Sequence, residues 1–145
     1  MKRKFLLSFV IFLILNSSFL SKDSMSQWVQ RTNGISGTVN ALGVSGTNIF
    51  AGVYLSGVYL STNNGVSWTA AGMTGQELRA FAVLGTKLFV ATGGAGIYFT
   101  TNNGTNWSAA YTGITNLFVS SFAVLGTNIF AANYAANPNI IKFYI

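Results

Sequence analysis

The chain has no cysteine and no histidine, one proline, and only two acidic residues, Asp23 and Glu77. Each absence closes a class of chemistry. Without cysteine there is no disulfide framework, thiolate nucleophile or cysteine-based metal site. Without histidine there is no imidazole base and no common zinc or copper ligand. A catalytic pair of carboxylates could come only from Asp23 and Glu77, and calcium sites need more carboxylates than that. No cofactor and no metal is expected. Charge of either sign is scarce, at 7% of residues, with eight Lys+Arg against two Asp+Glu. What is abundant is apolar surface and glycine: half of the 145 residues are hydrophobic and sixteen are Gly. The length bounds the chain to one domain.

The first segment reads as a leader. Lys2, Arg3 and Lys4 form a positive start, Phe5 to Leu15 is apolar apart from Ser8, and Asn16, Ser17 and Ser18 end the run. That is the layout of a secretory signal peptide. Eleven residues fall short of the roughly 20 that a membrane span needs. Ser24-Met25-Ser26 before Gln27 fits the small-x-small cleavage rule, as does a cut nearer Ser21. The preferred division is a signal peptide over 1–26 and a mature region over 27–145. The expected destination is the exterior, the cell surface or a periplasm, with no membrane span after cleavage. Residues 27–145 keep Arg31, Arg79, Lys87 and Lys142 against Glu77, a net charge of +3 without clustering. That is no nucleic-acid footprint.

Internal repeats dominate the rest. Gly46-Thr47-Asn48-Ile49-Phe50 recurs at Gly85–Phe89 and at Gly126–Phe130, offsets of 39 and 41. Gly57-Val58-Tyr59-Leu60-Ser61 recurs at Gly96–Thr100. Each unit reads as four short strands: the apolar stretch before the Gly-Thr turn, then Ile49–Val53 or Leu88–Thr92, then Val58–Ser61 or Ile97–Thr100. The fourth starts at Trp68 or Trp107 and runs to Ala71 or Ala110. Gly-Thr and Asn-Asn-Gly separate them as turn chemistry. Strands such as Leu88-Phe89-Val90-Ala91 are apolar on both faces and must be covered on both. Four strands per period of about 40 is the arithmetic of a β-propeller blade. Strands of four or five residues are too short for a transmembrane barrel. The fold class expected is all-β, blades of four antiparallel strands, about 2.5–3 blades in an incomplete ring or half-propeller.

Ser61-Thr62-Asn63-Asn64-Gly65-Val66-Ser67-Trp68 and Thr100-Thr101-Asn102-Asn103-Gly104-Thr105-Asn106-Trp107 resemble the Asp box, S/T-x-D-x-G-x-x-W. This box marks sialidase-like, sortilin-like and photosystem-assembly-factor-like propellers. Asn63 and Asn102 stand where the family has Asp. The resemblance implies structural roles for Ser61, Asn63, Gly65, Trp68, Thr100, Asn102, Gly104 and Trp107, with the Trp packing its turn onto the blade. It implies nothing about activity, because many functions share the fold.

Blade counting extends to the ends. Trp28 precedes Gly46 by 18, as Trp68 precedes Gly85 by 17 and Trp107 precedes Gly126 by 19. Trp28-Val29-Gln30 therefore sits where a preceding blade's fourth strand would, and Ile140–Tyr144 is a candidate third strand for the last unit. The segment from Asn133 to Phe143 is also similar to the opening of C-terminal sorting domains of secreted bacterial proteins. Three blades' worth of strands do not close a ring of the usual 4 to 8. A homodimer, or continuation into a longer propeller, is expected.

A sialidase would need an arginine cluster, a tyrosine paired with a glutamate, and an acid; the mature region offers Arg31, Arg79 and Glu77. Glu77 and Arg79 read as a solvated pair in the loop between units, and Lys87 as a solvated turn residue. Tyr54 and Tyr134 occupy equivalent loop positions where the second unit has Gly93. With Arg79 they are the candidate ligand-face residues, for a glycan or protein ligand. The expected role is non-enzymatic binding or structure. The alternatives are a fragment or subunit of a sialidase-like hydrolase and an assembly factor for a membrane complex.

Overall fold

Alternating turn chemistry and apolar strands produce three antiparallel sheets in chain order. A computed structural model describes residues 29–134 and the strand at 141–144. The first sheet is β1 (Val39–Ser45), β2 (Asn48–Val53), β3 (Gly57–Ser61) and β4 (Thr69–Ala70); the second is β5 (Leu78–Leu84), β6 (Lys87–Thr92), β7 (Ile97–Thr100) and β8 (Ser108–Ala109). The third holds β9 (Val119–Leu125), β10 (Asn128–Asn133) and β11 (Ile141–Tyr144), ordered β11-β10-β9. The architecture is all-β, with sheets that match incomplete propeller blades and none closed into a barrel. The three sheets fall within one compact unit that starts at Arg31.

The hairpin between the first and second strands of each blade is the same device three times. Gly46, Gly85 and Gly126 each take φ of 60°, and the flanking residues pair directly: Ser45 with Asn48, Leu84 with Lys87, Leu125 with Asn128. Glycine at the first central position of a two-residue turn matches the right-handed twist of the strands it joins. Nothing lies within 4 Å of where a Cβ would project at these three positions, so the glycine serves the dihedral alone.

Coverage of both faces is realised by stacking. Along β6, Leu88 and Val90 point into a core with Phe50, Val58, Ala71 and Leu78. Phe89 and Ala91 point the other way, into a core with Ile97, Ile114, Val119, Ile129 and Ala131. Side chains alternate across a strand, so a strand between two sheets must be apolar at every position. The first strands of successive blades face one another, β1 to β5 and β5 to β9. Gly43 and Gly52 permit that approach: a Cβ at Gly43 would sit 2.5 Å from Cβ of Phe81, and one at Gly52 2.9 Å from Cβ of Leu78.

Several expected boundaries change. The fourth strands extend over only two residues, Thr69–Ala70 and Ser108–Ala109, and beyond them Ala71 and Ala110 still donate their N–H groups to the Val58 and Ile97 carbonyls. Arg79 lies in β5, not in a loop; Leu78 pairs Thr92 and Ala80 pairs Ala91, leaving Arg79 at a bulge. The C-terminal segment is a strand: Ile141 to Tyr144 pair Ala132 to Ile129, the register of β3 on β2. Trp28 and the leader lie outside the described residues.

Candidate functional site

Two kinds of built feature emerge, the turns after the third strands and one end of the sheets. In the first turn the Ser61 hydroxyl is 1% exposed. It donates to Asn63 Oδ1 at 3.0 Å and accepts from the Gly65 N–H at 2.8 Å and the Asn63 N–H at 3.4 Å. Asn63 Oδ1 also accepts from the Ser67 N–H at 2.9 Å. The second turn repeats this. Thr100 Oγ1 donates to Asn102 Oδ1 at 2.9 Å and accepts from the N–H groups of Gly104 and Asn102 at 3.0 and 3.2 Å; Asn102 Oδ1 accepts from the Asn106 N–H at 3.0 Å. Each asparagine holds its turn N–H groups through its oxygen, the group it shares with aspartate; Asn63 also donates from Nδ2 to Ser67 Oγ at 2.8 Å. Asn64 and Gly65, like Asn103 and Gly104, take consecutive positive φ values, which Asn and Gly tolerate best.

The tryptophans reach further than expected. The Trp107 indole N–H donates to the Ala71 carbonyl at 2.8 Å, and the Trp68 indole N–H to the Arg31 carbonyl at 3.2 Å. Ala71 ends the preceding blade, so this indole ties one blade to the last residue of the blade before it. Sequence reasoning assigned the ring to its own blade, because spacing within a motif carries no information on which neighbour it meets.

The other feature is the end of the sheets where first strands begin and second strands finish. Tyr54, Gly93 and Tyr134 donate backbone N–H bonds to the carbonyls of Thr38, Glu77 and Phe118, each at 2.8 Å. The three positions are thus structurally equivalent. Tyr54 and Tyr134 are 48% and 78% exposed, and Phe118 is 52% exposed. The candidate ligand-face residues therefore sit at one end of successive blades, Tyr54 on the first, Arg79 on the second and Tyr134 on the third. Arg79 Nη2 bonds Glu77 Oε1 at 2.7 Å. The pair lies over Gly93, where a Cβ would meet Glu77 Oε2 at 2.5 Å and Arg79 Nε at 3.1 Å. The ion pair occupies the place that tyrosine takes on the other blades. The signal was present in the sequence, since the one unit lacking the tyrosine is the one with both charges. Beside it, the Phe118 ring lies 3.5 Å from a Cβ projected at Gly94. Asn116 fixes this corner, accepting from the Phe118 N–H at 3.0 Å and donating to the Tyr134 carbonyl at 3.1 Å.

A third feature was not read from the sequence. A groove of about 770 Å³ lies between the second and third blades, lined by Leu84, Lys87, Phe89, Phe99, Ala110 and Ile129 among others. Lys87 is no plain turn residue. It opens β6, and its ammonium stands 4.8 Å from the centre of the Phe99 ring, a cation–π distance.

Among the described residues no three His, Cys, Asp or Glu converge to hold a metal ion, and no helix is long and apolar enough to cross a membrane. Tyr98 is the group whose proton affinity is perturbed: burial first, then neighbouring Tyr111, raises its pKa above the ordinary 10.0. Comparison with protein-family models found no match, and comparison with curated proteins found none either.

Proposed function

We propose that the chain is an exported, non-enzymatic β-propeller repeat protein of the Asp-box type, with a binding role at the cell surface or outside. The observation that carries this reading is the placement of Tyr54, Phe118 and Tyr134, large rings left exposed at the same end of the first and third blades. A rigid sheet end presenting exposed aromatic faces suits stacking on a sugar ring or a peptide. The Arg79–Glu77 pair beside Phe118 adds one polar anchor of each sign. The hydroxyl and amide constellations that a search for catalysis would notice, Ser61 with Asn63 and Thr100 with Asn102, are spent on holding turn N–H groups. The leader-like start, positive then apolar then small, supports export.

The test is a panel of immobilised glycans and peptides probed with the full chain and with Tyr54→Ala and Tyr134→Ala. Retention on a subset of the panel, reduced at least tenfold by either substitution, is expected. Uniformly absent retention would overturn the binding role. Hydrolysis of a fluorogenic sialoside would overturn the non-enzymatic reading and restore the hydrolase alternative.

A further inference from the structure

The second blade's end differs from its counterparts in a way that builds a corner with the third. Glu77 and Phe118 hold equivalent places. The carbonyl of each accepts the N–H of the residue just past its blade's second strand, Gly93 and Tyr134. An isolated antiparallel bridge joins Gly93 to Phe118. The ion pair over Gly93 and the ring of Phe118 are thereby fixed as neighbours across one residue pair. Such partners stand about 4.5–5.5 Å apart at Cα, close to the width of a single sugar ring.

The ring is a platform held in advance. Phe118 rests against Gly94, its Cε1 and Cζ 3.5 Å from a projected Cβ, and is 52% exposed. Asn116 clamps its backbone, accepting from the Phe118 N–H and donating to the Tyr134 carbonyl. Beside it, the Arg79 and Glu77 side chains are 46% and 32% exposed. Arg79 Nη2 and Glu77 Oε1 bond each other at 2.7 Å. Glu77 Oε2 and Arg79 Nη1 take no bond from the described residues, so an open acceptor and an open donor stand together over Gly93.

That combination matches a pyranose. Two adjacent hydroxyls of the sugar lie about a hydrogen-bond length apart, and each can donate and accept. The carboxylate takes one and the guanidinium gives to the other, while the sugar's apolar C–H face covers the aromatic ring. Charge decides among sugars. Arg79 is already neutralised by Glu77, so a carboxylate on the ligand gains no net attraction and meets the Glu77 charge. A peptide strand fits less well, because the backbone N–H groups of Gly93, Phe118 and Tyr134 are already bonded.

We propose that this corner binds a neutral pyranose, its apolar face on Phe118 and two adjacent hydroxyls on Glu77 and Arg79. The inference rests on the binding role proposed above and narrows it to neutral glycans.

The test is saturation-transfer NMR on the full chain. The probes are the methyl glycosides of glucose, galactose and mannose, and those of glucuronic and N-acetylneuraminic acid. Transfer to at least one neutral glycoside is expected. Its affinity should change less than about twofold between low and high salt, since neither side carries net charge. Phe118→Ala should weaken it about tenfold. Gly93→Tyr installs the residue that the other two blades carry, at a position without left-handed φ. It should displace the ion pair and abolish transfer with the fold kept. Glu77→Gln leaves Arg79 uncompensated and should turn the preference to the acidic glycosides, a reversal that unfolding cannot produce. Neutral binding that survives both Phe118→Ala and Gly93→Tyr would overturn the proposal and leave the binding role standing. So would a Glu77→Gln chain without the reversal, or wild-type binding confined to acidic glycosides or peptides. Absence of retention across the whole glycan and peptide panel would overturn both.

Discussion

Thr100→Val isolates the hydroxyl that organises the turn after β7. The two side chains have nearly the same shape, so packing is conserved while the hydroxyl is lost. That hydroxyl is 3% exposed as part of Thr100 and makes three bonds. It donates to Asn102 Oδ1 and accepts from the N–H groups of Asn102 and Gly104. The Gly104 N–H is buried at this bond, so it finds no water when the oxygen goes. A buried donor left unsatisfied costs about 1–3 kcal/mol. The Asn102 N–H is only partly buried and recovers water, leaving a net loss of about 1 kcal/mol for its bond. The expected destabilisation is about 2–4 kcal/mol. Urea titration followed by tryptophan fluorescence measures it, as a fall in midpoint at unchanged slope. Thr100→Ser keeps the hydroxyl and should lose less than about 1.5 kcal/mol, its deleted methyl being one buried carbon. A Thr100→Val chain within about 0.5 kcal/mol of wild type would refute the view that this hydroxyl holds the turn.

Further predictions concern glycine, the core and alkaline pH. Gly85→Ala, at φ of 60° with open space around the projected Cβ, should cost about 1–2 kcal/mol of backbone strain alone. Gly104→Ala should cost more on the same titration, because its Cβ would also stand 2.8 Å from both the Cβ and the carbonyl oxygen of Ala71. Leu78→Ala empties a fully buried site between the first two blades, and a loss of about 2–5 kcal/mol is expected by calorimetry or urea. Tyr98 has its pKa raised by burial and then by Tyr111, so the folded chain holds the neutral phenol more tightly than the unfolded one. Its stability contribution is complete below pH about 10 and falls as pH climbs from there through the raised folded value. Tyr98→Phe should flatten that alkaline decline; an unchanged slope would show that another group titrates there.

The sequence alone carried the strand chemistry and the repeat, because both are local. A period near 40 with Gly-Thr and Asn-Asn-Gly turns specifies hairpins through dihedral preference, and these hairpins fold where they were read. Apolar residues on both faces of Leu88–Ala91 dictated coverage on both faces, and two cores lie there. The equivalence of Tyr54 and Tyr134 was legible by the same counting. What tertiary structure decided was which surfaces meet. The indoles of Trp68 and Trp107 bond the preceding element, not only their own blade, and no motif encodes that. Arg79 was pushed onto a bulge by the pairing of its neighbours, and the missing side chain at Gly93 made room for its ion pair. Lys87 looked like a turn residue until the pairing of β7 with β6 put Phe99 beneath its ammonium. Turns and strands answer to neighbours in sequence, but a groove and a face exist only once distant repeats are packed together.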